Sequence, residues 1–170
     1  MHLSRANRIP QKLIPWNLKE LSVSYATEVF IDLVRVETRL YNALNSGLKA
    51  ELGLGLGQFE FMEIIGRVPG CRVLDIAREV AITVGAASKG VDRLEAAGWC
   101  VRSAHPQDRR SSVLGLTPEG AALLDRARPA VERRAAALTA GVPRGELDAM
   151  AATLAALRTA LERRSPAGTE

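Results

Sequence analysis

Residues 74–120 read LDIAREVAITVGAASKGVDRLEAAGWCVRSAHPQDRRSSVLGLTPEG, and the hydrophobic pattern changes its period within this stretch. Apolar residues recur every three or four positions over residues 74–81 and again over 84–98, which predicts two helices. Thr83 is a favourable N-cap for the second of them. Because only Ile82 and Thr83 separate the two helices, the pattern predicts a helix-turn-helix over residues 74–98.

The second part of the stretch has the alternating or β-branched pattern of strands. WCVRSA (99–104) and SVLGL (112–116) flank the turn signal HPQD (105–108), so we expect a β-hairpin, here called the wing, over residues 99–116. With a short strand stub near residue 72, the order of elements is that of a winged helix-turn-helix domain, expected over residues 57–116.

Helices are predicted on both sides of this domain. Thr117 and Pro118 form an N-cap and first turn, and a helix follows over residues 118–140. A broad amphipathic pattern runs from residue 21 until glycines interrupt it after residue 52. The last helix, over residues 146–163, carries a coiled-coil-like seam that is too short to be stable alone, formed by Leu147, Met150, Leu154, Leu157 and Leu161.

These elements predict a mostly α protein with a small β-hairpin. The helices over residues 21–56 and 117–165 flank the winged domain, and residues 1–20 are expected to form a basic N-terminal arm. The net charge of +4 permits a nucleic-acid partner without requiring one.

Several classes of protein are disfavoured by composition. No run of about 18 apolar residues exists, so we expect no membrane partner. The only histidines are His2 and His105, and Cys71 and Cys100 lack metal-ligand spacing, so we expect no metal and no cofactor. Both cysteines are interpreted as small apolar residues in a reducing cytoplasm. No arrangement of nucleophile and base suggests an enzyme.

The stretch resembles the core of the MarR family of bacterial winged helix-turn-helix transcriptional regulators. DRLEAAGW (92–99) closes the recognition helix, DRR (108–110) lies at the wing, and LTPEG (116–120) opens the next helix, in the family's order and at its intervals. The resemblance extends more loosely over about residues 20–165, and it implies that the helices over residues 21–56 and 117–165 form a dimerisation region. It implies a cytoplasmic homodimer on a pseudo-palindromic operator, acting as a repressor that a small-molecule effector releases.

Candidate DNA contacts on the recognition helix follow from its periodicity. Ala87, Val91 and Leu94 form the inward face, so the residues around them point outward. Ser88 and Lys89 are the candidates for base or phosphate contact and Arg93 for phosphate. The alternative is that these charges only solubilise an exposed face, with Asp92 and Glu95 offsetting them. The candidates on this element are Thr83, Gly85, Ala86, Ser88, Lys89 and Arg93.

The wing supplies the remaining DNA candidates, because cations at a narrow hairpin tip suit the negative potential of a narrow minor groove. By resemblance, Arg110 enters the groove, Asp108 holds it by a salt bridge, and Arg109 meets the DNA backbone. Gln107 completes the set. The alternative is an ordinary exposed turn in which Asp108 and Arg110 pair only with each other.

A pocket for a small aromatic or anionic effector is also implied by the resemblance. Its candidate residues could instead belong to the core, and they are Trp16, Tyr25, Arg39, Phe59 and Glu60. Relatives that sense urate use a recognition-helix arginine where this sequence has Gly90, which argues against urate. Relatives that sense peroxide have a cysteine near the start of the first long helix, and this sequence has none there.

Two other functions remain open at this point. A helical dimeric adaptor could use the winged domain to bind protein, and a non-specific architectural protein would bind DNA without preferring one site.

Overall fold

The computed structural model describes residues 23–105 and 108–164, and the side chains of residues 25–104 and 112–164 among them. It confirms a mostly helical chain with one two-stranded antiparallel hairpin. In chain order the elements are α1 (Val23–Leu52), α2 (Leu56–Arg67), α3 (Val73–Val80), α4 (Val84–Ala96), β1 (Cys100–His105), β2 (Asp108–Leu116), α5 (Pro118–Thr139) and α6 (Arg144–Arg164). The chain divides into two compact units, and the boundary along the sequence falls within α1, between Arg39 and Leu40.

The helix-turn-helix forms as the periodicity predicts. Thr83 caps α4, because its side-chain oxygen accepts a hydrogen bond from the Ala86 N–H at 3.2 Å. The turn before it contains Ala81 in the left-handed region, with φ of 56°. The inward residues of α4 are buried in the core, where they join side chains of α2, α3, β1, β2 and α5.

The hairpin differs from the prediction in its second strand. β2 begins at Asp108 and not at residue 112, so the wing arginines lie within a strand and not in the turn. The register shifts between Ala104, which pairs with Ser112, and His105, which pairs with Asp108. The sequence pattern missed this extension because strand length depends on the pairing partner as well as on local propensity.

The strand stub expected near residue 72 is wrong. In the described part of the chain the sheet has two strands, and the segment before α3 contributes one backbone hydrogen bond, from the Leu114 N–H to the Cys71 carbonyl at 2.7 Å.

A compact junction joins the end of α4, the base of the wing and the start of α5. Gly98 adopts a left-handed conformation, with φ of 76°, and the chain changes direction there at the end of α4. The Trp99 N–H then donates to the Leu94 carbonyl at 2.9 Å and closes the end of the helix. The Thr117 hydroxyl donates to the Gly98 carbonyl at 2.7 Å and accepts from the Gly120 N–H at 2.9 Å. A Cβ at Gly120 would lie 2.0 Å from the Trp99 carbonyl oxygen, so only glycine fits there.

The outer helices leave much apolar surface exposed. α6 has no buried residue, and its predicted seam exposes Met150, Leu154, Leu157 and Leu161. On α1, exposed apolar residues include Val29, Phe30 and Val36. Among the helices of residues 23–105 and 108–164, none is long and apolar enough to span a membrane.

Replacing Gly120 with alanine is expected to lower the free energy of unfolding by about 3 kcal/mol, because the new methyl group would collide with rigid backbone. Urea denaturation at one fixed protein concentration measures this. Gly115→Ala is the matched control. It has open space around its Cβ and should leave stability unchanged or raise it by about 0.5 kcal/mol. Equal midpoints for Gly120→Ala and the wild type would contradict the close contact.

Candidate nucleic-acid interface

The outward face of α4 is the most prominent feature of the winged domain. Thr83, Gly85, Ala86, Lys89 and Arg93 are exposed, while Ser88 is half-buried. Nothing lies within 4 Å of the position a Gly85 Cβ would take. Small residues near the helix N-terminus therefore leave backbone N–H groups accessible, and two cationic side chains lie one and two turns further along.

The two cations of this face, Lys89 and Arg93, have no acidic partner in the part of the chain that the structure describes. Within the described residues, neither Lys89 nor Arg93 makes an ion pair. The interpretation that Asp92 and Glu95 offset them is wrong, since both carboxylates bind Arg102 of β1. Arg102 Nη2 donates to Asp92 Oδ1 at 2.7 Å, and Nη1 donates to Glu95.

The environment of Arg102 keeps it charged. Desolvation lowers its pKa, but the hydrogen bonds and charges of Asp92 and Glu95 outweigh this effect and raise the pKa. The Arg102 N–H also donates to Glu95 Oε1 at 3.3 Å, so side chain and backbone both join β1 to α4. No signal in the sequence pointed to Arg102, because its partners lie seven and ten residues away on another element.

The wing candidates lie on β2 as far as the structure describes them. The backbone of Asp108, Arg109 and Arg110 forms the first part of that strand. Gln107 and the side chains of residues 108–110 lie outside the described part, so the salt bridge between Asp108 and Arg110 stays a prediction.

A cleft of about 450 Å³ lies beside the cationic face, between α1, the α1–α2 connection, α2 and α4. Glu60 and Arg93 both line it, and desolvation raises the pKa of Glu60. The Asn45 side chain at its wall accepts a hydrogen bond from the Leu56 N–H at 2.9 Å. The other residues around it are Tyr41, Gly55, Gly57, Gln58, Phe61, Val80, Ile82, Ala86 and Gly90.

One of the five effector candidates predicted from the sequence lines the cleft. Glu60 lines it, whereas Phe59 packs against the core. Tyr25 and Arg39 belong to the other compact unit, where Tyr25 is exposed and Arg39 donates to the Arg35 carbonyl at 3.0 Å. Trp16 lies outside the described residues.

Sequence reasoning missed the polar lining of the cleft. Tyr41 and Gln58 line the cleft, and no sequence pattern predicted a polar role for either residue. A signal was available in the glycines at 55 and 57, because residues without a Cβ allow a side chain or a ligand to approach the backbone. The Tyr41 hydroxyl lies 3.3 Å from where a Cβ at Gly57 would be.

Gly90 faces inward, where a Cβ would lie 2.2 Å from the Phe61 ring. The space next to Gly90, the position where urate-sensing relatives have an arginine, is therefore filled by the Phe61 ring, which packs against α4.

Both cysteines are buried as free thiols. Burial raises the pKa of Cys71 to about 11, and the nearby Asp75 carboxylate adds to the effect. Burial also raises the pKa of Cys100. Both sulfurs therefore remain protonated near neutral pH and pack as apolar groups.

Comparisons with known proteins agree with this geometry. A model of the MarR family matches residues 54–112. The HTH-type transcriptional regulator BilQ of Clostridium symbiosum is 32% identical over 108 residues, which cover 64% of this chain and 70% of that protein. The multiple antibiotic resistance protein MarR of Salmonella typhimurium is 33% identical over 60 residues, covering 35% of this chain and 42% of that protein.

Solved structures share the architecture. The transcriptional repressor CouR, bound to a 23-mer DNA duplex, is 31% identical with a TM-score of 0.69, and the match covers 86% of this chain and 99% of that one. A MarR/EmrR family regulator from an Acinetobacter species has the same fold at 19% identity, with a TM-score of 0.73 over 81% of this chain and 97% of that one.

Proposed function

This chain belongs to the MarR family of DNA-binding transcriptional regulators, whose members are not enzymes, and we propose that it is a homodimeric repressor released from its operator by a small aromatic anion. The observation that carries the proposal is the outward face of α4, where Lys89 and Arg93 have no acidic partner in the described chain. Such a face suits phosphate and base edges in a major groove.

Each candidate residue has a proposed role in that complex. The Thr83 hydroxyl already accepts from the Ala86 N–H, and its proton is available to a phosphate oxygen. Gly85 and Ala86 let the α4 N-terminus approach the DNA backbone. Ser88 and Lys89 reach base edges or phosphate, and Arg93 reaches phosphate. Arg110 enters the minor groove beside α4, with Asp108 orienting it, and Arg109 and Gln107 contact the backbone.

The exposed apolar faces of α1 and α6 support a homodimer. The side chains of four seam residues of α6 are between 39% and 55% exposed. An apolar stripe of this kind is unfavourable in water, and a short helix needs a packing partner to be stable. Residues 21–56 and 117–165 would form this interface. A two-fold dimer places two copies of α4 about 34 Å apart, which calls for operator half-sites one helical turn apart. A repressor of this kind works in the cytoplasm, where bacterial DNA is.

The cleft supports release by an effector. Arg93 lines the cleft and also belongs to the DNA-facing set, so an anion that paired with Arg93 would compete with phosphate. BpsR of Bordetella bronchiseptica, a solved structure with the same fold, is described by the regulation of its DNA binding by 6-hydroxynicotinic acid, which is an aromatic anion.

Arg110→Ala is expected to weaken binding to the DNA immediately upstream of the gene by about tenfold, because one groove-inserted arginine contributes roughly 1–3 kcal/mol. A mobility shift at fixed salt measures this. The control is Arg144→Ala, which removes the same charge from an exposed side chain at the start of α6 and should bind like the wild type.

Three outcomes would contradict parts of this picture. Equal affinity of Arg110→Ala and the wild type would remove the wing from the interface. Equal affinity of the wild type for upstream and random DNA would favour an architectural protein. No binding to any duplex would favour the adaptor.

Leu154→Glu is expected to convert the dimer to monomers, because a carboxylate in the middle of the seam would be buried without a partner. Sedimentation velocity measures this. Ala152→Glu, an exposed position on the opposite face of α6, should leave the dimer intact. An intact dimer for Leu154→Glu would exclude the seam from the interface.

Glu60→Gln is expected to lower several-fold the concentration of 6-hydroxynicotinic acid that releases half of the DNA, because it removes a like charge from the cleft. Titration into the preformed DNA complex measures this, with Glu146→Gln on α6 as the control. Release at the same concentration for both variants would place the effector elsewhere. No release by this acid or by benzoate would argue against aromatic anions as effectors.

A further inference from the structure

Arg102 holds together two elements of the proposed DNA interface. Its guanidinium lies between Asp92 and Glu95 of α4, and Nη2 also lies 3.5 Å from the Ser88 carbonyl oxygen. Only 25% of the Arg102 side chain is exposed. We call Arg102, Asp92 and Glu95 the charge clamp.

Asp92 of the charge clamp lies on the outward face of α4, where a carboxylate is unfavourable for DNA binding. Asp92 and Lys89 are three residues apart, so about 60° separates them around the helix axis and both belong to the outward face. The Asp92 side chain is 57% exposed there. A free carboxylate on a face that approaches phosphates would repel them, and Glu95 at the wing side of the same face would add a second charge.

We propose that Arg102 is a positioning residue for DNA binding that acts as the internal counter-ion of Asp92 and Glu95, so that Lys89 and Arg93 dominate the potential of the face. The proposal rests on the DNA binding proposed above. Arg102 acts from behind the interface and does not contact DNA itself. Its guanidinium donors already serve Asp92, Glu95 and the Ser88 carbonyl, which leaves it poorly placed to serve a phosphate as well.

A mutant cycle on the full-length protein tests the clamp, with the DNA upstream of the gene as the probe and mobility shifts at fixed salt as the readout. Arg102→Gln should weaken binding about tenfold, since it leaves two carboxylates uncompensated beside the phosphates. The same substitution in an Asp92→Asn/Glu95→Gln background should cost less than about twofold. The background alone should bind at least as tightly as the wild type.

The matched control is Arg128→Gln. It breaks a comparable pair, Arg128 Nε to Glu63 Oε1 at 2.7 Å, which joins α5 to α2 outside the α4 face. It carries the same charge change and should leave DNA affinity within about twofold of the wild type. Circular dichroism and sedimentation of every variant establish that fold and dimer are retained. The Asp92→Asn/Glu95→Gln protein tests the clamp even if Arg102→Gln alone does not fold.

Each result decides the proposal. An equal cost of Arg102→Gln in both backgrounds would overturn it and indicate that Arg102 itself touches DNA. Weaker binding by Asp92→Asn/Glu95→Gln would also overturn it, because the clamp would then act by geometry and not by charge. If the wild type binds no DNA, the proposed function fails. If the wild type binds and the cycle shows no coupling, only the clamp fails.

Discussion

The hydrogen bonds of Thr117 are the constraint on which the winged domain depends. Its hydroxyl links the Gly98 carbonyl, just beyond α4, to the Gly120 N–H in the first turn of α5. The Thr117 N–H donates to the Trp99 carbonyl at 3.1 Å, so both ends of the wing are held at one point. The end of α4, the base of the wing and the direction of α5 therefore share one anchor. α5 therefore starts at the point where α4 and the wing end.

The positive charge of the outward face of α4, which is proposed to face DNA, results from ion pairing of its acidic residues elsewhere in the fold. The sequence places two acidic and two basic side chains on or beside the outward face of α4, which on its own would be nearly neutral. In the folded protein Asp92 and Glu95 both pair with Arg102. Lys89 and Arg93 are therefore left without acidic partners in the described chain. The modest net charge of +4 is thus a poor guide to the local potential, because pairing within the fold decides which charges remain available.

Local rules account for what the sequence predicted well. Helix periodicity and the N-caps Thr83 and Thr117 each depend on residues within one or two turns, and all are present. The features that were missed depend on contacts between elements. The cleft gathers Tyr41 and Gln58 from different helices, and Arg102 meets acids on another element. The length of β2 is likewise set by pairing across the hairpin, which no single segment encodes.

The register shift in the hairpin separates a regularly paired base of the wing from the pair at its end. The pairing is regular from Cys100 with Leu116 to Ala104 with Ser112, and the shift lies between that base and the pair of His105 with Asp108. A bulge bends and twists a ribbon locally without disturbing the ladder beyond it. The shift therefore changes the direction in which the first residues of β2 leave the base. It thereby sets the angle at which the arginine proposed for the minor groove would approach DNA.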